Sequence, residues 1–196
     1  MIIYGAGGHA KVVCSILADC DRKVTAILDD NPNATFNGMP TAGGYQPHFD
    51  TNELIIIAIG DNTTRKTIAQ HIVHSFGNVI HPSAVIASDT VLGNGLVIVH
   101  RAVVQTGTIL GNHIIVNTGA IIDHDCILGD FVHVAPGAVV CGNVRIGENT
   151  LIGAGSTILP NLEIGKNCII GAGSVITRSI PDCATVWGNP GRIIRF

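Results

Sequence analysis

The sequence predicts two unequal halves: a Rossmann-like parallel α/β unit over residues 1–78, and a parallel β-helix built on a six-residue repeat over residues 79–196. Three observations carry this reading. Short apolar strands alternate with helix-period segments near the start. From Ile80 onward an aliphatic residue recurs every six positions without interruption. The chain also combines 24 glycines and many aliphatics with only 4% aromatic and 13% charged residues. That mixture suits buried strands joined by tight turns.

In the first half, Ile2-Ile3-Tyr4 is a short apolar strand that ends in Gly5-Ala6-Gly7-Gly8-His9-Ala10. Residues 9–20 then place Ala10, Val13, Ile16, Leu17 and Cys20 on one face at helical spacing. Val24 to Leu28 reads as a second strand, stopped by Asp29-Asp30-Asn31-Pro32. The unbroken apolar run Leu54 to Ile59 is the pattern of a strand covered on both faces. Gly60-Asp61-Asn62 offers the next N-cap, and Ile68, Ile72, Val73 and Phe76 line the helix expected after it.

In the second half, the repeat runs Ile80, Ile86, Leu92, Ile98, Val104, Leu110, Val116, Ile122, Leu128, Val134, Val140, Ile146, Ile152, Ile158, Ile164, Ile170 and Ile176. The fifth position of each repeat is mostly small, as at Ala102, Ala120, Cys126 and Ala138. The second is often glycine: Gly93, Gly111, Gly129, Gly147, Gly153, Gly165 and Gly171. Hexapeptide periodicity is a β-helix signature. Each repeat forms one flat face with its aliphatic and small side chains inward, and three faces close one coil. A single coil cannot bury its aliphatics, so many must stack. No insertion breaks the repeats, so any cover over an outward site must come from the α/β unit or a neighbouring subunit. The repeat fades at Arg178-Ser179-Ile180-Pro181.

A net charge of −3, with eleven Lys and Arg residues that never form a run, gives no attraction to nucleic acid or anionic lipid. No uninterrupted apolar stretch of about 18 residues exists to span a membrane. The N-terminus carries no signal-peptide pattern. The six cysteines form no C-x-x-C pair and read as buried thiols of a reducing compartment. The expected location is the cytosol.

Outward positions of a rod are normally bland, yet His124 and His133 both point outward, and Asp123 and Asp125 flank His124. Imidazole suits proton abstraction near neutral pH, and an adjacent carboxylate can orient it. Nine residues is half a coil, so the two histidines lie on opposite sides of one rod. A site using both requires subunits packed side by side, and three-fold symmetry closes such contacts. His113 and His133 lie on nearly the same side of adjacent coils. With His124 of a neighbour they could make a three-histidine zinc site, as in the carbonic anhydrases that share this rod. The loop at Gly7, Gly8 and His9 opens a helix and can hold a diphosphate on backbone N–H groups. Asp29 and Asp30, about twenty residues on, could accept from ribose or base, as in NAD sites. Nothing in the second half resembles a dehydrogenase substrate domain, which favours a nucleotide-linked substrate over NAD.

The G-A-G-G-H-A opening, the Leu28-Asp29-Asp30 strand end, Ala58-Ile59-Gly60-Asp61-Asn62 and the hexapeptide rod together resemble one family along nearly the whole chain. These are the bacterial sugar O- and N-acyltransferases of the sialic-acid O-acetyltransferase type. Within it the chain is most similar to enzymes that N-acetylate UDP-4-amino-4,6-dideoxy sugars in bacillosamine synthesis. Asn117 to Val134 looks like the family's active-site stretch, with Asp-His-Asp where the family typically has Glu-His-Glu. The resemblance implies a left-handed β-helix, acetyl-CoA as co-substrate, no metal, and a homotrimer. It further implies His124 as general base with Asp125 as its partner. His133 and Asn117 would contact acceptor or acetyl group, and the N–H of Gly142 the thioester oxygen. Coenzyme A would pass Gly153, Ala154 and Gly171 to reach Pro190. The diphosphate would sit at Gly7, Gly8 and His9, with Asp29, Asp30, Gly60 and Asn62 near the nucleotide sugar. The same resemblance admits O-acetylation of a sugar hydroxyl such as that of sialic acid, or acylation of a GDP- or dTDP-linked amino sugar.

Overall fold

A computed structural model describes all residues 1–196. The first part contains β1 (Ile2–Tyr4), α1 (Gly8–Asp19), β2 (Ala26–Leu28), the small hairpin β3 (Thr35–Phe36) and β4 (Met39–Pro40), β5 (Ile55–Ile57) and α2 (Asn62–Ala69). β1 is the central strand of a three-stranded parallel sheet in the order β2-β1-β5. Its three residues are buried on both faces, which explains the continuous apolar runs.

α2 ends at Ala69, earlier than its apolar spacing predicts, and Val73 is exposed. The reason is a competing interaction. Ile55 donates to the carbonyl of Ser75 and accepts from Gly77, so residues 75–77 run beside β5. A helix continued to Phe76 could not make those bonds.

From Val79 to Ile176 the chain is a rod of two-residue strands on three faces, all stacked parallel and in strict register. The first face starts at Val79–Ile80 and continues through Ile115–Val116, His133–Val134 and Leu151–Ile152 to Thr185–Trp187, where Arg192–Arg195 closes it antiparallel. The second face runs from Val85–Ile86 to Val175–Ile176, and the third from Val91–Leu92 to Glu163–Ile164. From the second coil up to Ile176 each strand residue pairs with the one eighteen places before it, as His133 with Ile115 and Leu151 with His133; only the closing segment shifts, Thr185 pairing with Ile169 sixteen places back. The aliphatic and small columns fill one interior cluster. Thr108, Thr150 and Ser156 also point inward, and each satisfies its hydroxyl on a backbone carbonyl (Asp123, Gly165 and Gly171).

Two columns exist because coils stack so closely. A methyl group on Gly147, at the second position, would lie 2.6 Å from the backbone N of Lys166 in the next coil. The fourth position turns the corner with positive φ in fourteen successive repeats, from Gly95 through His113, Asp125, Phe131 and Asn143 to Gly173. This left-handed column is readable in the sequence as recurrent Gly, Asn and Asp, which tolerate that conformation best.

The α/β unit lies on the first face. Outward Val79, Val97 and Ile115 are buried against Ile3, Ala10, Val13 and Ile56. Arg65 of α2, only 1% exposed, completes the seam: Nε donates to the carbonyl of His113 (2.9 Å) and Nη2 to that of Phe131 (2.9 Å). Its remaining bonds go to the Ile59 and Gly60 carbonyls and to Oδ1 of Asn62. The guanidinium is thus desolvated but fully hydrogen-bonded.

Ile152 is fully buried at mid-rod, with coils stacked on both sides. Ile152→Ala should cost about 2–5 kcal/mol. Chemical denaturation of the two proteins side by side measures it, and a loss below about 1 kcal/mol would contradict interior packing there.

Candidate active site

His124 stands at the corner between the second and third faces, with its side chain 54% exposed. Nδ1 lies 2.8 Å from Oδ2 of Asp125, and Oδ1 of Asp123 accepts the backbone N–H of His124. The bond to Asp125 is the main cause that lifts the His124 pKa above its ordinary value, assisted by the charges of Asp123 and Asp125. With Nδ1 engaged, Nε2 is the atom left to exchange a proton.

The coils above and below shape this pair through glycines. A methyl group on Gly142, eighteen residues after His124, would fall 2.5 Å from Nε2. One on Gly107, eighteen before Asp125, would fall 2.6 Å from Oδ1. The Gly142 N–H has no acceptor within the chain, whereas Asn143 N–H next to it bonds the His124 carbonyl. A free backbone donor therefore adjoins the free imidazole nitrogen. Sequence reasoning missed Gly107 and Arg65. Subtracting one coil from Asp125 points to Gly107, but no periodicity marks Arg65.

His133 lies on the first face, across the rod from His124. Nδ1 is 3.2 Å from the Gly60 carbonyl and Nε2 is 3.1 Å from Nδ2 of Asn117. Burial at the seam, with Arg65 nearby, lowers its pKa to about 4, so the ring is neutral at pH 7. His9 behaves alike: burial and Arg65 hold it near 4, and its Nε2 is buried without a partner. Nδ2 of Asn62 is also buried and unpartnered. Unpaired donors and acceptors at a seam are groups a polar ligand can satisfy. Beside them a cavity of about 460 Å³ is lined by Gly60, Asn62, His133, Asn149, Leu151 and Ile169.

Leu151 and Ile169 continue into an apolar trough of about 560 Å³ along Ala135, Gly153, Ala154, Gly171 and Trp187. Trp187, 58% exposed, was not anticipated as a wall of this trough. Pro190 lies in the turn beyond it and is not among the lining residues, because the chain folds back there to pair residues 192–195 with 185–187.

At the helix N-terminus, Gly7 caps α1 without a side-chain bond, and the space over Gly7 and Gly8 is open. Asp29 is less free than its sequence position suggests. Its carboxylate accepts from Ala6 N–H (2.9 Å) and Asn31 N–H (3.0 Å), bracing the glycine loop. Burial, with the Asp30 carboxylate nearby, raises the pKa of the Tyr4 phenol. The three-histidine zinc reading fails on geometry. His113 is packed between Phe76 and Phe131, with ring centroids 4.3 and 4.8 Å away, and carries a pKa lowered to about 4 by burial. It sits at the seam, one coil from His133 and fixed between those two rings.

An exposed, carboxylate-paired histidine on a parallel β-helix, remote from a glycine loop on the same chain, fits an acyltransferase of the hexapeptide class. Comparisons agree. The PglD N-terminal domain family matches residues 1–72, and the bacterial transferase hexapeptide family (six repeats) matches residues 143–178. UDP-N-acetylbacillosamine N-acetyltransferase of Bacillus subtilis (strain 168) is 37% identical over 103 residues, a match spanning 47% of this chain and about half (48%) of that protein. A histidine-to-asparagine mutant of perosamine N-acetyltransferase from Caulobacter crescentus, in complex with CoA and GDP-perosamine, superposes with a TM-score of 0.95 at 35% identity, covering 100% of this chain and 96% of the other. The acetyltransferase domain of PglB from Neisseria gonorrhoeae FA1090, in complex with acetyl coenzyme A, gives 0.89 at 36% identity over 98% of each chain. The chain belongs to this family of sugar N-acetyltransferases.

The His124 pairing predicts a definite pH response. A base at the His124 position works deprotonated, so kcat/KM is expected to rise through a pKa above 6.5. Asp125→Asn removes the bond that favours the charged ring, so the rising limb should move to lower pH while the plateau falls. A lowered plateau with an unmoved limb would show that Asp125 merely shapes the corner.

Proposed function

We propose that the protein transfers the acetyl group of acetyl-CoA to the 4-amino group of a nucleotide-linked 4-amino-4,6-dideoxy sugar, with UDP as the nucleotide. The observation that carries this reading is the free Nε2 of His124 beside the unpaired N–H of Gly142, with Asp125 on the other ring nitrogen. The relative that acetylates a UDP-linked sugar supports UDP. A second reading, a GDP-linked acceptor, is favoured by the Caulobacter relative, which matches over the full length.

In this mechanism His124 takes a proton from the sugar amine as its nitrogen attacks the thioester carbonyl. Gly142 N–H holds the developing oxyanion. Collapse of the tetrahedral intermediate expels the thiolate of coenzyme A, which takes up the proton held by the His124 imidazolium and returns the ring to its neutral form. Direct transfer suffices, because no outward cysteine near His124 has an activating base; burial raises the Cys126 and Cys141 pKa values.

The unit over residues 1–78 holds the nucleotide sugar and residues 79–196 carry the transfer. Gly7, Gly8 and His9 receive the diphosphate, Asp30 and the Asp29-braced loop the nucleoside, and Gly60, Asn62, Asn117 and His133 the acceptor side. The trough at Gly153, Ala154 and Gly171 takes the pantetheine arm. His124 and this trough lie on different sides of one rod, so one chain does not unite them. We assign a homotrimer in which His124 of one subunit meets the His133 side of the next. The second face supports it: its outward column is Val85, Val103, Ile121, Val139, Thr157 and Val175, uncovered by the rest of the chain. Val85 is 62% exposed and Ile121 38%. No helix is long and apolar enough to cross a membrane, and the six unpaired thiols suit the cytosol.

A panel of UDP-, GDP- and dTDP-linked 4-amino sugars with acetyl-CoA, followed by release of free thiol, tests the activity. UDP acceptors should turn over fastest. His124→Ala should lower turnover by about 10²–10⁴ while acetyl-CoA binding survives. Thiol release only with hydroxyl sugars, or a fully active His124→Ala, would sink the proposal. Independently, Ile121→Asp should convert trimer to monomer in light scattering and abolish transfer. An active monomer would refute the shared site.

A further inference from the structure

Away from the acyl-transfer machinery, α1 and the first two coils bring together Asp19, His81 and His100. Asp19 is the last residue of α1, and the two histidines follow the strands Val79–Ile80 and Val97–Ile98 of adjacent coils. Oδ2 of Asp19 lies 3.1 Å from Nε2 of His81 and 3.7 Å from Nε2 of His100. The three ligating atoms all fall within 4.8 Å of one another. We propose that they form a divalent transition-metal site, for zinc, cobalt or nickel, that staples the α/β unit to the start of the rod.

The argument is geometric and chemical. Four-coordinate zinc holds N and O ligands at about 2.0–2.1 Å, which places neighbouring donor atoms about 3.3 Å apart. The two observed separations bracket that value. Two imidazoles with one carboxylate suit the borderline metals and leave a position for water. A second layer is present as well. Nδ1 of His81 lies 2.7 Å from the Ser83 hydroxyl, which can accept an Nδ1–H and leave Nε2 as ligand. Without metal, Ser83 N–H donates to that Nδ1 (2.9 Å), placing the ring proton on Nε2, toward Asp19. Metal binding therefore exchanges the tautomer and gives up that backbone bond. This makes the expected affinity lower than that of a closed structural zinc centre. The rings are stacked with centroids 3.7 Å apart and planes 27° apart, so they must splay for both nitrogens to face one ion. The His100 side chain can do so, being 37% exposed with no other hydrogen bond.

The test uses the tag-free full-length protein and cobalt(II) alone, followed by visible absorption and by equilibrium dialysis. One cobalt per chain should bind with ligand-field bands that zinc removes. His100→Ala and Asp19→Ala should each weaken binding at least tenfold, and the His81→Ala/His100→Ala double variant should lose it. Zinc should raise the thermal midpoint of the natural chain and leave that of the double variant unmoved. Sugar acetylation without metal should be equal in the natural chain and His100→Ala, which separates this site from the transfer site. Uptake no greater than the double variant's, or a stoichiometric site that survives in it, would overturn the assignment.

Discussion

Everything in this molecule depends on the stacking of coils at the spacing of paired strands, about 4.8 Å. At that distance each strand residue of the rod stacks directly on those eighteen places before and after it. The interior then requires an aliphatic column, because each buried Ile or Val contributes about 1.5–3 kcal/mol and no coil can supply that alone. The same spacing forbids a Cβ where backbone passes over backbone, as at Gly147. A left-handed residue turns the corner in fourteen successive repeats, from Gly95 to Gly173. The His124 corner uses these rules. Gly142 and Gly107 leave room for His124 and Asp125, and Asp125 itself occupies a positive-φ position that Asp tolerates.

The rod's regularity also explains how the α/β unit is held. A flat face with outward Val79, Val97 and Ile115 offers an apolar platform, and α1 covers it. Arg65 then reads the rod's own backbone: its two rod acceptors, the carbonyls of His113 and Phe131, are one coil apart. A charge buried this deeply is tolerable only with such a complete set of partners. Burial at the seam, assisted by this charge, keeps His9, His113 and His133 neutral.

One residue type thus serves three purposes by environment. His124, in water beside two carboxylates, is biased toward the charged form and suits proton transfer. His133 and His9, dry and near a guanidinium, are neutral and suit hydrogen bonding to a ligand. His113, between two phenyl rings, is packing. These differences come from solvent and neighbouring charge, the two strongest influences on an imidazole.

The sequence by itself determined the rod, its register and the glycine loop, because period six and period eighteen are properties of a linear string. It also placed His124 and His133 on opposite sides, since half a coil is an arithmetic fact. The premature end of α2, the bracing role of Asp29, the burial of His113 and the clamp at Arg65 were decided only by tertiary structure. Each depends on which surface packs against which, over separations such as the 48 residues between Arg65 and His113. No local pattern encodes that distance. A repeat announces itself through identical neighbours, whereas a seam between unlike halves is a single event that the chain records only once folded.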